Sequence, residues 1–364
     1  MLIVNVLSEA LLYLCFSILL GHFIINLVPE NYRPEINISK GILLGAVLGI
    51  ALFSFVPVLR IILYLSKGGL ELGLTLQSVL TKFEVGKSWI KTGVLSIILF
   101  IFLLPIKMER KPLLSITGLI LTLALIAALG MSSHASALSK WPGFFTHSIH
   151  FLAVSTWIGI LFMVGWFSKN YDNWLKFLKW YTPLAVTCFL ITVISGIALM
   201  TFVMNVKDYA NTWPLSYGQA LLIKHLTIIP LLVFAFINSI LVRKKLAADS
   251  TFNPLSWVKL ESVVVLLIFA VTGAMGQQSP PHDILRTIKT EGVSKLYGFF
   301  HSGEFSFPLH LTVGVGSIGL SLAALIFLLF IIFIFVKKAS KGMSLFMSVL
   351  FIFTAYVALM FSIQ

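Results

Sequence analysis

The sequence predicts an all-α polytopic membrane protein, a bundle of about ten transmembrane helices. Hydrophobic residues make up 59% of the 364 residues and charged residues only 11%, against about 25% charged residues in soluble domains. A single soluble core stops growing near ~250–300 residues, so one water-soluble domain could not bury this much apolar surface. The apolar residues also fall in long runs separated by polar linkers. These observations exclude most soluble enzyme folds.

A membrane-spanning helix needs about 20 mostly apolar residues, and we expect the whole chain, 1–364, to form one transmembrane helical domain. The first apolar segment lacks a basic stretch before it and a small-residue cleavage site after it, so we expect it to be retained and not removed as a signal peptide. The ten predicted spans are residues 5–28, 41–65, 88–106, 113–131, 144–168, 180–204, 218–242, 257–275, 308–336 and 343–363.

Two linkers are long enough to contain structure of their own. In residues 276–307, Gly and Pro argue against a helix that runs through the whole linker. In residues 66–87, apolar residues recur at helical spacing, which predicts a short amphipathic helix on the outer membrane surface. These apolar residues are Leu72, Leu76, Val79, Leu80 and Phe83.

The basic residues predict how the spans are oriented. The chain has 26 Lys and Arg against 13 Asp and Glu, and cytoplasmic loops of membrane proteins are enriched in Lys and Arg. The linkers after spans 3, 5, 7 and 9 contain three cations each, for example Lys107, Arg110 and Lys111, whereas those after spans 4 and 6 contain one each. We therefore predict both termini outside the cell, and we expect no nucleic-acid partner despite the positive charge.

With this orientation, seven of the eight histidines lie outside the membrane or in its outer half. His134 follows span 4, and His225 lies about two turns into span 7. His147 and His150 open span 5 and share one helix face at i, i+3. Because polar groups inside a membrane are costly and tend to mark function, this pattern predicts an outward-facing site.

Methionines accompany these histidines. Met131 precedes His134 by three residues, and Met200 and Met204 are spaced i, i+4 at the outer end of span 6. Imidazole and thioether together suit copper, and thioether favours Cu(I), whereas a zinc site would more often include Cys or carboxylate. Since Met is also a common filler of apolar helices, simple packing is the alternative interpretation for each Met.

Three further residues are candidates for the same site. Trp157 continues the helix face of the histidine pair, and Tyr217 stands at the start of span 7. Packing or an interfacial position is the alternative for both aromatic residues. Lys224 is a candidate buried cation, with extension of its side chain to the outer headgroups as the alternative.

The stretch GMSSHASALSKWPGFFTHSIHFLAVSTWIGILF resembles the CopD family of copper-resistance membrane proteins. That family shows a Gly-His-Ala-like segment followed by a His-x-x-His-x-x-Ala…Trp-x-Gly-Gly-like helix. Ser133 precedes His134 in place of Gly, and Ile160 stands where a second Gly is common. The positions that match are His134, His147, His150, Ala153, Trp157 and Gly159.

Two other segments carry the same resemblance. SYGQALLIKHLTIIPLLVFAFIN resembles the family's Tyr-Gly-x-x-Leu-x-x-Lys helix, and SVLTKFEVGKSWIKTGVLSIILF resembles a third family segment. The resemblance spans about residues 40–275, which leaves spans 308–336 and 343–363 as additional helices. The matching positions of the first segment are Tyr217, Gly218, Leu221 and Lys224, with Asn238 at its end.

The resemblance implies copper uptake or copper handling at the plasma membrane. It also implies that His134, His147 and His150 stand where copper would be expected. Some relatives carry a fused copper-binding domain of the CopC type, which this sequence does not show. A separate extracytoplasmic protein of the CopC type is therefore an expected partner, beside the copper ion and the lipid bilayer.

We predict transport and not enzyme activity, because the sequence shows no candidate catalytic residues and no phosphate-binding loop of an ATP-driven pump. Cu(I) would be captured by His134, His147, His150 and Met131, and would pass to His225, Met200 and Met204. Two alternatives stay open. His150 and His225 could be the axial ligands of haem b in an electron carrier, or the protein could donate copper to an oxidase without net transport.

Overall fold

The computed structural model describes residues 2–69, 71–105, 111–301 and 307–363, apart from the side chain of Leu2. Within these ranges the chain is helical, and its extended segments form only two isolated bridges, Ile36 with Ser168 and Leu311 with Ile363. The all-α fold class is confirmed. Lys107 and Arg110, which contribute to the predicted orientation, lie outside the described residues.

Ten helical stretches of the described chain are long and apolar enough to cross a membrane, and each overlaps one predicted span, with ends that differ by up to seven residues. Continuous apolar runs of this length leave the backbone only one way to satisfy its own hydrogen bonds in lipid, which is a helix. The stretches are Ile3–Leu27, Lys40–Lys67, Glu84–Leu103, Pro112–Gly130, Lys140–Trp166, Trp174–Thr201, Ser216–Ala248, Leu255–Met275, Val315–Val336 and Lys341–Met360.

The chain divides into two compact units, the first covering Ile3–Phe202 and the second beginning at Val203. The helices of the first unit are α1 (Leu2–Leu27), α2 (Lys40–Phe53), α3 (Val56–Lys67), α4 (Leu72–Lys82), α5 (Glu84–Leu103), α6 (Pro112–Gly130), α7 (His134–Leu138), α8 (Lys140–Trp166) and α9 (Trp174–Thr201). Those of the second unit are α10 (Ser216–Phe236), a π-helical turn (Ile237–Leu241), α11 (Val242–Ala248), α12 (Leu255–Met275), α13 (Ile284–Glu291), α14 (Lys295–Phe300), α15 (Val315–Val336) and α16 (Lys341–Met360).

Both long linkers contain short helices. The first forms α4, as its helical spacing predicts, and Val79 of α4 is fully buried against Val58 and Ile62 of α3. Leu72 and Leu76 stay exposed. The second linker contains α13 and α14, and α13 stops at Gly292, which adopts a positive φ of 77° that suits glycine at a helix end.

Helix α1 lies in the core of the first unit, where Phe16 and Leu19 are fully buried. It crosses α8 with the two backbones in direct contact, because a Cβ atom on Gly21 would overlap the backbone carbonyl of Gly159. Small residues allow membrane helices this close approach. Gly159 of the family pattern therefore positions α8, the helix that carries the two candidate histidines.

Helix α10 is the central helix of the second unit and packs against α12 and α16. Gln219, near its start, donates a hydrogen bond to the Trp213 carbonyl at 2.6 Å and accepts one from the hydroxyl of Tyr356 on α16. All three residues are buried. Because a buried amide needs partners, this network fixes the first turn of α10 against the bundle.

Candidate functional site

The first turns of α8 present His147 and His150 on one face. The His147 ring lies parallel to the Phe151 ring at 6.3 Å, and Tyr13 and Phe16 of α1 pack edge-on against Phe151. The Nδ1 atom of His147 is buried and has no hydrogen-bond partner among the described residues. Buried polar atoms are almost always paired, so an unpaired imidazole nitrogen at this position is suited to a ligand.

His150 is oriented by a hydroxyl on the neighbouring helix. Its Nδ1 lies 3.0 Å from Oγ of Ser195 on α9, and the Ser195 hydroxyl lies 2.5 Å from the Ile191 carbonyl oxygen, to which it donates. Ser195 therefore accepts the hydrogen bond from His150 Nδ1–H, and Nε2 is the nitrogen with a lone pair. Partners of this kind fix the tautomer and the orientation of metal-binding histidines.

Met131 and His134 lie beside this pair. Met131 follows the end of α6, and His134 begins α7 after Ser133, whose hydroxyl caps the helix. Helix α7 packs closely on α8, since a Cβ on Gly143 would overlap the Ala135 carbonyl. His134 is exposed and lies near enough to His147 for the two rings to interact electrostatically.

A cation lies against the sulfur of Met131. The ammonium of Lys91 on α5 is 3.4 Å from Met131 Sδ. Thioether sulfur is a weak acceptor, so this contact is easily broken. Lys91 would nevertheless repel a copper ion that approaches the sulfur.

The predicted ligands do not converge on one three-histidine centre. In the part of the chain that the structure describes, no three or more His, Cys, Asp or Glu side chains are grouped to hold one metal ion. The arrangement that is present is a histidine pair on α8, with a histidine and a methionine at its edge. Such a set of uncharged nitrogen and sulfur ligands suits Cu(I).

Trp157 has a packing role in the structure. It is buried and packs edge-on against Phe189 of α9 at 6.0 Å. The hydroxyl of Tyr181, also on α9, donates to the Trp157 carbonyl at 3.2 Å. These contacts join α8 to α9 and hold the helix below the histidine pair.

The structure separates Met200 from Met204. Met200 lies partly buried in the last turn of α9, and the helix ends at Thr201. Met204 is buried beyond the helix end, so the predicted i, i+4 face is not formed. The predicted sixth span extends three residues beyond the end of the helix, because the apolar sequence continues past the turn.

His225 on α10 has a different partner. Its Nδ1 lies 2.8 Å from the hydroxyl of Tyr209. Burial raises the pKa of Tyr209 to about 12, so the phenol keeps its hydrogen. A neutral phenol can donate or accept, so this contact is compatible with either tautomer of His225.

Lys224 and Tyr217 are partly buried residues of the same helix. The turn before α10 is held tightly, because a Cβ on Gly218 would overlap the Thr212 carbonyl. His150 and His225, the pair of the haem alternative, belong to different compact units.

Comparison with known proteins gives two matches. Residues 175–275, from α9 to the end of α12, match the family described as copper resistance protein D. This segment is a CopD-family domain. The chain also matches the copper transport protein CutJ of Bacillus subtilis (strain 168), with 27% identity over 259 residues, covering 65% of this chain and 46% of the relative. It therefore spans less than half the length of that relative. No solved structure matches significantly.

The matches support the predicted resemblance to the CopD family, and with the ten apolar helices of the described chain they confirm the multi-pass membrane location. They also support a copper-related function, whereas neither gives support to haem binding. The CopD-family domain contains Tyr217, Lys224 and His225. It does not include His134, His147 and His150, so the assignment of these residues to a copper site stays a prediction.

Proposed function

We propose that this CopD-family protein takes up copper across the plasma membrane and captures Cu(I) at the outer end of α8. The two matches support a copper-related function. The outward position of the site follows from the predicted orientation of the spans. The main observation in favour of this site is the buried Nδ1 of His147, which has no hydrogen-bond partner among the described residues and lies on the same helix face as His150.

The chemistry of the site agrees with capture and release. His147 and His150 would supply imidazole nitrogen, and Met131 and His134 would add ligands at the edge of the site. Imidazole nitrogen and thioether sulfur bind as neutral ligands, so the bound ion keeps its own charge. Moderate affinity at several sites allows an ion to move on, which a tight thiolate centre would prevent.

The path beyond α8 involves the second unit in this proposal. His225, Met200 and Met204 are the candidates to receive the ion. His225 would bind through Nε2, or through Nδ1 after Tyr209 turns away. A CopC-type protein outside the cell is the proposed source of copper.

Copper uptake by proteoliposomes tests this function. We expect the wild-type protein to accumulate Cu(I), and the His147→Ala/His150→Ala double variant to show no uptake above protein-free liposomes. His282→Ala is the matched control, since His282 is an exposed linker histidine, and it should behave as wild type.

Two results would contradict the proposal in different ways. Wild-type uptake in the double variant would remove the α8 pair from the path. Copper binding by the wild-type protein without uptake would favour a membrane copper donor that does not transport.

A further inference from the structure

A carboxyl group is buried in the second unit, away from the candidate copper ligands. Glu261 lies on α12 and is 2% exposed, in a stretch of helix long and apolar enough to cross a membrane. Its helix neighbours Val258, Val264 and Val265 are also buried. An ionisable residue inside the membrane is expensive and usually functional, so Glu261 needs a physical explanation.

Asn238 is the partner of Glu261. Its Nδ2 donates to Glu261 Oε2 at 2.7 Å and to the Trp257 carbonyl at 3.2 Å. Asn238 lies in the π-helical turn Ile237–Leu241 that joins α10 to α11. Single π-helical turns inside α-helices occur frequently at functional sites.

Among the residues that the structure describes, no cation is paired with this carboxyl group. Within the described residues, neither an ion pair nor a second hydrogen bond of Glu261 is present. Lys259, on the same helix, is two residues away and so faces a different side. Lys224 and His225 lie in the middle of α10, roughly 20 Å along the axis from Asn238 at 1.5 Å per residue. The other titratable groups of the helices packed around α12 are Tyr217 on α10 and Lys341 and Tyr356 on α16. Arg243, Lys244 and Lys245 lie on α11, which follows the π-helical turn.

The amide of Asn238 indicates which form the carboxyl group takes. Asn238 Oδ1 is buried and has no hydrogen-bond partner in the described part of the chain. A protonated carboxyl has one O–H donor that a carboxylate lacks. An acid and an amide that face each other can form two hydrogen bonds, N–H to the carboxyl and O–H to the amide oxygen. Protonation of Glu261 would thus satisfy both buried groups.

We propose that Glu261 is a proton-binding site, neutral in this structure, with its O–H donated to Asn238 Oδ1. Release breaks the O–H bond, sends the proton to water and leaves one negative charge on the carboxylate. One Cu⁺ passing through the second unit would balance that charge, so one proton would be exchanged for each Cu⁺. This coupling rests on the proposed copper transport, whereas the proton site itself does not.

Infrared difference spectroscopy of the purified full chain tests the proton site. We expect a carbonyl-stretch band of a protonated, buried carboxyl at neutral pH, which shifts in D₂O and disappears in Glu261→Gln. The control Glu84→Gln, which changes an exposed carboxylate paired with Lys87, should keep the band. A spectrum without this band in wild type, or with the band intact in Glu261→Gln, would overturn the proposal.

Thermal unfolding gives a second readout that does not depend on the band. Gln resembles a protonated Glu, because its amide N–H can also donate to Asn238 Oδ1. We therefore expect Glu261→Gln to unfold at the wild-type temperature and Glu261→Ala to unfold at a lower one. A Glu261→Gln protein as unstable as Glu261→Ala would mean that Glu261 is ionised.

Copper uptake under an imposed pH gradient tests the coupling. In wild-type proteoliposomes we expect the gradient to change the uptake rate, and in Glu261→Gln we expect this dependence to be lost. An equal dependence in both proteins would overturn the coupling. If the wild-type protein takes up no copper at all, the proposed function fails, and the infrared result still decides the proton site.

Discussion

Helices α8 and α10 each carry a histidine whose Nδ1 contacts a hydroxyl group, yet only one of the two hydroxyls has its hydrogen committed to another acceptor. Ser195 gives its own hydrogen to the Ile191 carbonyl and accepts one from His150. The Tyr209 hydroxyl lies 2.8 Å from His225 Nδ1 and can donate or accept. Ser195 therefore selects the His150 tautomer whose lone pair is on Nε2, whereas Tyr209 is compatible with both tautomers of His225.

The difference shows that the neighbour of a histidine decides its chemistry. The CopD-family domain includes α10 but begins after α8, so family similarity alone would direct attention to His225. The unpaired Nδ1 of His147 and the tautomer of His150 instead direct it to α8. The first three predictions below separate these two helices.

Removal of the α8 histidines should have the largest effect. We expect His147→Ala and His150→Ala each to lower Cu(I) affinity by more than about 100-fold, since even loss of a group that orients a ligand costs 10–100-fold. His225→Ala should stay close to wild type. Competition titration against a Cu(I) chelator measures all three, and a larger loss in His225→Ala than in the α8 variants would reverse the comparison.

The two hydroxyl partners can be compared directly. Ser195→Ala frees His150 to rotate and to change its tautomer, so we expect roughly a 10–100-fold loss of Cu(I) affinity. Tyr209→Phe removes the hydrogen bond to His225 and should leave affinity unchanged. The same titration applies, and equal affinities for Ser195→Ala and wild type would show that Ser195 does not orient a copper ligand.

Alanine substitutions at two glycines in backbone contacts separate an effect on protein stability from an effect on copper binding. Gly143→Ala and Gly218→Ala both place a Cβ against a carbonyl group, and overpacking of this kind costs about 1–3 kcal/mol. Only Gly143→Ala displaces α7 and His134, so it alone should also weaken copper binding several-fold. The control is Gly319→Ala on α15, where no atom lies within 4 Å of the added Cβ. Thermal unfolding and titration of the three proteins give both quantities. Unchanged affinity in Gly143→Ala would remove His134 from the site.

The smallest effect concerns Lys91. Its ammonium lies 3.4 Å from Met131 Sδ, so Lys91→Gln removes a competing cation and should raise Cu(I) affinity a few-fold. Lys82→Gln, at an exposed position of α4, is the control for the change in net charge. A rise of the same size in both variants would mean that Met131 is not a ligand.

The sequence was sufficient to predict the spans, because a run of about 20 apolar residues has few alternatives to a membrane helix. It could also predict that His147 and His150 share a face, which follows from helical spacing. It could not predict Ser195 or Tyr209 as partners, since those contacts depend on how separate segments pack. The family pattern includes Gly159 and Gly218 but does not explain why glycine is needed there. The structure explains it, because both glycines lie in close backbone contacts.

Glu261 has a sequence signal of its own, because a carboxyl group inside an apolar span is unusual. The sequence does not show its partner. The pairing of Glu261 with Asn238 depends on the π-helical turn. This turn changes the helix register locally, and the spacing of apolar residues in the sequence does not reveal such a change.

X-ray absorption spectroscopy of the Cu(I)-loaded protein tests the α8 site most directly. We predict imidazole nitrogen in the first shell of wild type at about 2.0 Å and a sulfur neighbour at about 2.3 Å, close to the distances that these atoms take in other metal sites. In His147→Ala/His150→Ala the nitrogen shell should be lost, whereas in His225→Ala it should stay. A nitrogen shell that persists in the double variant and disappears in His225→Ala would place the copper on α10 and contradict the account.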